Sequence, residues 1–176
     1  MAEIDSTLPE VYLQPGEVCV ARSPSLLKTV LGSCVGVTFW SARLGIGALC
    51  HGVLPRSPRG VSADEGYRYV DFAISELARQ FESFGARGAE VEIKVFGGAD
   101  VLPVLSPVTW RQTVGHQNWH TALEVLRDLH LQVTASDVGG SVGRTIQLDT
   151  RTGEVLLRRL NRLAVDSGDP SRELEP

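Results

Sequence analysis

The apolar positions change period several times along the chain, and each change marks an element. Val11-Tyr12-Leu13 and Val18-Cys19-Val20-Ala21 are short β-prone runs parted by Gln14-Pro15-Gly16, whose Pro-Gly pair is turn chemistry. Leu26 to Leu31 follows. After a Gly32-Ser33 break comes Cys34-Val35-Gly36-Val37-Thr38-Phe39-Trp40, a β-branched and aromatic run that reads as a strand buried on at least one face. Ser41 to Gly45 closes it. Ile46 to Leu54 reads as its antiparallel partner, because so short a connection joins neighbouring strands.

Past Pro55 to Gly66, a loop rich in Pro, Gly, Ser and charge, the period lengthens. Val70, Ala73, Ile74, Leu77, Ala78, Phe81 and Phe84 recur at helical spacing, with Glu76, Arg79 and Glu82 on the other face, which predicts a helix from about Tyr67 to Phe84. Asp64 and Glu65 supply negative charge ahead of it, and Gly85 supplies a C-terminal cap. Val91 to Phe96 alternates with period two and runs as a strand into Gly97-Gly98. Asp100 to Thr113, with two prolines, reads as irregular. A second helix, about Asn118 to His130, places Trp119, Ala122, Leu123, Leu126 and Leu129 on one face. Leu131 to Ser136 reads as a strand ending near Gly139-Gly140. Arg144 to Leu148 and Val155 to Leu160 flank a loop, Asp149 to Gly153, with hairpin chemistry. Many strands and two principal helices without strict βαβ alternation predict an α+β fold, a layered sandwich of mainly antiparallel sheet. The domain is expected to span residues 10–163, with flexible polar ends at 1–9 and 164–176.

Composition changes this picture little. A chain of 176 residues with 43% hydrophobic and 22% charged content is ordinary for one globular domain. The formal net charge of -4, without a long Lys/Arg block, argues against nucleic acid held by bulk electrostatics. The acidic start, Met1 to Asp5, lacks the basic and apolar parts of a secretory signal, and no apolar run nears the ~20 residues that span a bilayer. The expectation is a cytoplasmic protein without membrane insertion. Three cysteines, an odd number with no C-x-x-C spacing, do not form a disulfide framework in a reducing compartment.

The candidate chemistry lies between Thr29 and Pro55. Cys34 follows a glycine-serine turn, and His51 stands on the next apolar run, so the hairpin can set an imidazole beside a thiol, the pair that thiol catalysis requires. The Gly32-Ser33 turn places the thiol at an element boundary, where backbone N–H groups can meet a developing oxyanion. On the residues alone, an inert buried cysteine remains the commoner reading of Cys34. Cys19 and Cys50 sit inside apolar runs and read as packing. Zinc ligation by Cys34, Cys50 and His51 is conceivable, but Cys50 and His51 are adjacent on a strand and point to opposite faces, so they could not easily share one ion. His116 and His120 have i, i+4 spacing but no H-E-x-x-H arrangement, and the glycine pairs open no G-x-G-x-x-G turn. The glycine pairs read as bulges or close backbone approaches, and no cofactor or metal is predicted.

The motifs taken in order resemble the CheD family of chemoreceptor glutamine deamidases. They are Leu31-Gly32-Ser33-Cys34-Val35-Gly36-Val37, Gly47 to Pro55 with Cys50-His51-Gly52, Lys94-Val95-Phe96-Gly97-Gly98-Ala99, Val114-Gly115-His116-Gln117-Asn118, and Asp137-Val138-Gly139-Gly140 leading to Gly143-Arg144-Thr145-Ile146 and Thr152-Gly153. The resemblance implies a layered sandwich similar to the catalytic domain of cytotoxic necrotizing factor toxins. It also implies a Cys-His-Thr amidohydrolase that converts glutamines of methyl-accepting chemotaxis receptors to glutamates, with receptor methylesterase activity in related proteins. Cys34 would be the nucleophile and His51 the base. The third group falls to Thr29, although the family often sets its threonine one residue further from the cysteine, and a one-residue shift within a strand changes faces. Ser33 is the alternative. A CheC-type phosphatase is the partner implied beside the receptors. The rival reading is a binding module that docks a receptor or such a phosphatase without chemistry.

Overall fold

The structure, a computed structural model, describes residues 7–101 and 113–160. Most of the segment expected to be irregular and most of both polar ends lie outside these residues. The described strands are β1 (Glu10–Tyr12), β2 (Val18–Ala21), β3 (Leu26–Leu31), β4 (Val35–Ser41), β5 (Ile46–Gly52), β6 (Glu92–Gly97), β7 (Val133–Val138), β8 (Arg144–Asp149) and β9 (Val155–Arg159). Each starts and ends within two residues of the range its hydrophobic pattern predicts. They form two sheets, ordered β1-β3-β8-β9 and β2-β5-β4-β6-β7. The first packs on one face of the second through Leu13, Leu27, Leu31, Leu49, Phe96, Ile146 and Leu148.

The other face of the five-stranded sheet is covered by helices α2 (Val70–Ser83) and α3 (Val114–Asp128). Period-two alternation explains the division. In β5, Leu49 and His51 face the first sheet while Ala48 and Cys50 face the helices. The result is an α+β sandwich of three layers, sheet on sheet on helices, with five of its seven strand pairings antiparallel. One βαβ unit interrupts that pattern, since β6 and β7 lie side by side in parallel with α3 between them in the chain.

The helix boundaries depart from the periodic pattern, at several ends because a cap sets them. Residues 63–66 form a separate one-turn helix, α1 (Ala63–Gly66), where Ser62 accepts from the Glu65 amide and Asp64 and Glu65 occupy the first turn. Helix α2 is separate from it and begins at Val70 rather than Tyr67, after Tyr69 in extended conformation. It ends in a Schellman arrangement: the Ala86 amide bonds the Phe81 carbonyl at 3.0 Å, the Gly85 amide bonds Glu82 at 2.8 Å, and Gly85 has φ 85°. Helix α3 begins at Val114, four residues before the expected Asn118, because the Thr113 hydroxyl accepts from the His116 amide at 3.2 Å. Leu129 was expected on its buried face. It is instead 40% exposed, as the residue that closes the helix.

The end of α3 repeats the same Schellman bonds, His130 to Arg127 and Leu131 to Leu126, both at 2.9 Å, but with a histidine at φ 57° where α2 has a glycine. The left-handed conformation costs an L side chain about 1–2 kcal/mol, partly offset by the extra chain entropy of glycine in the unfolded state. A His130→Gly variant is accordingly expected to gain about 0.5–1 kcal/mol. Thermal unfolding should show a rise of roughly 2 °C.

Candidate active site

Strands β4 and β5 pair antiparallel with Gly36 opposite His51. The amide and carbonyl of His51 are used on the other side, bonding Glu17 at 2.9 Å and Gly16 at 2.8 Å, so His51 and Gly36 form a non-hydrogen-bonded pair whose Cα atoms approach closely. Gly36 is there because Leu31 and Ile146 fill the place beside the ring, where a Cβ on residue 36 would stand 3.0 and 3.1 Å from their methyl carbons. Cys34 lies two residues before Gly36 and, like His51, on the face toward the four-stranded sheet. The two are diagonal neighbours, a relation that brings long or ring side chains into reach.

Across the seam stands Thr29, on β3 of the other sheet, with no exposed surface. Its hydroxyl is 2.7 Å from His51 Nδ1 and 2.9 Å from the Leu13 carbonyl oxygen. A hydroxyl has one proton, and a carbonyl only accepts, so the Thr29 proton goes to Leu13. Nδ1 must then carry the hydrogen that it shares with Thr29. This leaves the lone pair of His51 on Nε2, which has no hydrogen-bond partner among the described residues. The ring is oriented by a neutral chain, Leu13 carbonyl to Thr29 hydroxyl to imidazole, in which the carboxylate of more familiar triads has no counterpart.

Burial governs the protonation of both candidate groups. It pushes the Cys34 thiol above its ordinary value, opposed by Cys34's own backbone N–H. It pulls His51 below the ordinary histidine value, outweighing the Leu13 carbonyl and the Glu17 carboxylate, which favour the charged ring. At neutral pH the pair therefore rests as thiol and neutral imidazole. Cys50 faces the helices, buried, with its thiol pushed up to about 12. Cys19 is also raised by burial. Among the described residues no group of three His, Cys, Asp or Glu side chains gathers where it could hold a metal ion.

The turn that carries Cys34 is held by all three of its carbonyls. Gly32 accepts from the Ala99 amide at 2.8 Å, Cys34 from the Gly98 amide at 2.7 Å, and Ser33 from Asn118 Nδ2 at 2.9 Å. Each peptide is planar and trans, so its N–H points opposite to its carbonyl. The amides of Ser33 and Cys34 are thus turned away from these anchors, and that of Cys34 lies near its own sulfur. Gly97 and Gly98 have φ of 104° and 66°, and a Cβ on Gly97 would stand 2.2 Å from the Cys34 carbonyl oxygen. The first glycine pair is a close backbone approach, as expected, and what it approaches is the cysteine turn.

Two residues that hold the site had entered only as parts of larger motifs. Asn118 lies on the stripe of α3 that also carries Ala122 and Leu126, and a polar residue on an apolar stripe was the visible signal. Arg144 shares the inward parity of Ile146 and Leu148 on β8, an arginine at a core position. Its guanidinium donates to the carbonyls of Gly97, Asp137, Gly139 and Val142 and pairs with the Asp137 carboxylate at 3.1 Å. Beside the site, the Arg56–Glu124 ion pair at 2.7 Å ties the Pro55 loop to α3. Between them opens a cleft of about 500 Å³ lined by Pro55, Arg56, His116, Gln117, His120 and Glu124.

Fold and site define a class: a layered α+β protein whose inter-sheet seam joins an imidazole to a hydroxyl-bearing side chain, with a thiol on the same face of the hairpin. The profile of the CheD family, described as CheD chemotactic sensory transduction, matches residues 53–159. The chain is 44% identical over 160 residues, 91% of its length and 96% of the other protein's, to the probable chemoreceptor glutamine deamidase CheD 2 of Geobacter sulfurreducens. It is 40% identical to a probable chemoreceptor glutamine deamidase CheD of Oleidesulfovibrio alaskensis, over 91% of this chain and 77% of that one. An archaeal relative of the same printed name, from Methanococcus maripaludis, is 33% identical over 82% of this chain and 91% of its own. The chain belongs to the CheD family. No helix among the described residues is long and apolar enough to cross a membrane.

Proposed function

We propose that the protein is a glutamine deamidase of methyl-accepting chemotaxis receptors, working from the cytoplasm, with Cys34 as nucleophile, His51 as general base and acid, and Thr29 as the group that orients His51. The observation that carries the reading is the Thr29–His51 bond, which leaves Nε2 as the free base on the face shared with Cys34. The names of the relatives supply the substrate class.

As Cys34 Sγ attacks the carbon of the glutamine side-chain amide, its proton passes to His51 Nε2. Negative charge develops on the amide oxygen, where the Ser33 and Cys34 N–H groups are the donors the turn offers. The imidazolium returns its proton to the amide nitrogen, the C–N bond breaks, and ammonia leaves a thioester on Cys34. His51 then takes a proton from water, hydroxide adds to the thioester carbon, and the C–S bond breaks to give glutamate and the thiol. A glutamate methyl ester on the same receptors would pass through the same thioester and release methanol. The cleft between the Pro55 loop and α3 is the contact surface for the receptor helix that presents the glutamine, and a CheC-type phosphatase is the proposed second partner.

The test is intact-mass analysis of a purified receptor cytoplasmic fragment incubated with the parent protein or with Cys34→Ala. The parent should add about one mass unit at each converted glutamine, the amide-to-acid difference, and the variant none. Equal conversion by both would remove Cys34 from the chemistry.

A further inference from the structure

Strands β4 and β5 stop pairing at Val35 and Gly52, so the carbonyls of Ser33 and Val53, just beyond that rung, are left without a ladder partner. Asn118, with no exposed surface, fills the place of the next rung. Its Nδ2 donates both hydrogens, one to Ser33 and one to Val53, each at 2.9 Å. The assignment of the amide is fixed by those two acceptors, since a flipped amide would set Oδ1 against both carbonyls. Oδ1 itself is buried and has no partner among the described residues. A single side chain from α3 thus ties the residue before Cys34 to the residue two beyond His51.

We infer that Asn118 is the positioning residue of the oxyanion site. It fixes the plane of the Ser33–Cys34 peptide and so aims the Cys34 N–H at the oxygen of the reacting amide. The inference rests on the deamidase reading above. Ser33 C=O and Cys34 N–H are opposite ends of one rigid peptide unit, so the Asn118 bond on the carbonyl sets the direction of the amide. The other two carbonyls of the turn are held by the backbone of Gly98 and Ala99 and do not constrain this plane directly. Asn118 touches neither substrate nor sulfur in this role. It should therefore affect a step that builds an oxyanion far more than one that does not, which feels the Cys34 N–H only through its hold on the sulfur.

Alkylation of Cys34 by iodoacetamide uses the same sulfur and forms no oxyanion, which separates aiming of the amide from general support of the turn. Asn118→Leu, close in shape but without donors, and Asn118→Ser, which keeps one donor, are to be compared with the parent chain. The readouts are thermal unfolding, the alkylation rate at Cys34 read by peptide mass, and kcat and KM on a purified receptor cytoplasmic fragment. The expected result for Asn118→Leu is a fall in kcat of about 10²-fold, the size of losing one oxyanion donor. KM should stay within about twofold and the alkylation rate within about threefold of the parent. Asn118→Ser should lose about tenfold in kcat with the same split, and it decides the question if the leucine variant does not fold. A kcat equal to the parent's, or kcat and alkylation falling in the same proportion, overturns the positioning role. A parent that leaves the receptor glutamines unchanged overturns the deamidase reading itself, and is seen before any variant is compared.

Discussion

Replacing His51 by glutamine is expected to lower the turnover of a receptor glutamine by about 10²–10⁴-fold, the range that a positioned general base contributes, with KM little changed. The amide of glutamine can still bond Thr29 but cannot take the proton from Sγ. Thr29→Val should fall between parent and His51→Gln, losing about 10-fold to 10²-fold. Valine keeps the shape and removes the acceptor that holds the hydrogen on Nδ1. The sign of the pH dependence follows from burial. A base must be neutral to act, and the His51 value is depressed, so activity should persist below pH 6.5 before an acid limb sets in. On the alkaline side burial raises the Cys34 value, so thiolate formation sets in at a higher pH than for an ordinary thiol. A pH profile of kcat/KM on a receptor fragment measures both limbs. An acid limb centred above pH 7 would contradict the buried neutral imidazole.

Arg144→Met is the substitution expected to cost the most stability, about 3–5 kcal/mol, or roughly 10 °C in Tm. The loss comes from the carbonyls left behind. Gly97 is buried and Asp137, Gly139 and Val142 are half-buried, and all four carbonyls would lose the guanidinium that gathers them. Asp137 keeps Arg159 at 2.6 Å, so the carboxylate is not the main term. Because Gly97 leads directly to the Gly98 amide on the Cys34 carbonyl, activity should fall more than the folded fraction does. Arg144→Lys keeps the charge and up to three donors but not the planar fork, and should recover part of the stability. Differential scanning calorimetry of the three proteins checks the order.

The Thr29 position shows where strand parity misleads. Counted along one strand, a one-residue offset would put its side chain on the wrong face for Cys34. The chain is not one strand there. Between Leu31 and Val35 it leaves the four-stranded sheet for the five-stranded one, so β3 and β4 face each other across the seam and parity does not carry over. Of the two residues proposed as third group, Thr29 is the one whose hydroxyl bonds the His51 ring. The helix starts were misplaced for a related reason. Thr113 sets the start of α3, and Ser62 that of the separate turn α1 ahead of α2, through side-chain bonds that apolar spacing does not report.

Local chemistry determined much of this protein. Period-two runs and short turns specify the β4–β5 hairpin, which puts Cys34 and His51 on one face, and helical spacing specifies the core stripe of α2. These depend on residues within about one hairpin or one helix, so their signal is present in the chain itself. Only the tertiary structure decided what meets that hairpin. Thr29 reaches His51 from another sheet and is itself held by Leu13, Asn118 reaches Ser33 from 85 residues away, and Arg144 reaches Gly97 from 47. Each of these bonds exists because two sheets and a helix pack against one another. A sequence pattern records which face of an element is apolar, and not which side chain of another layer will stand opposite it.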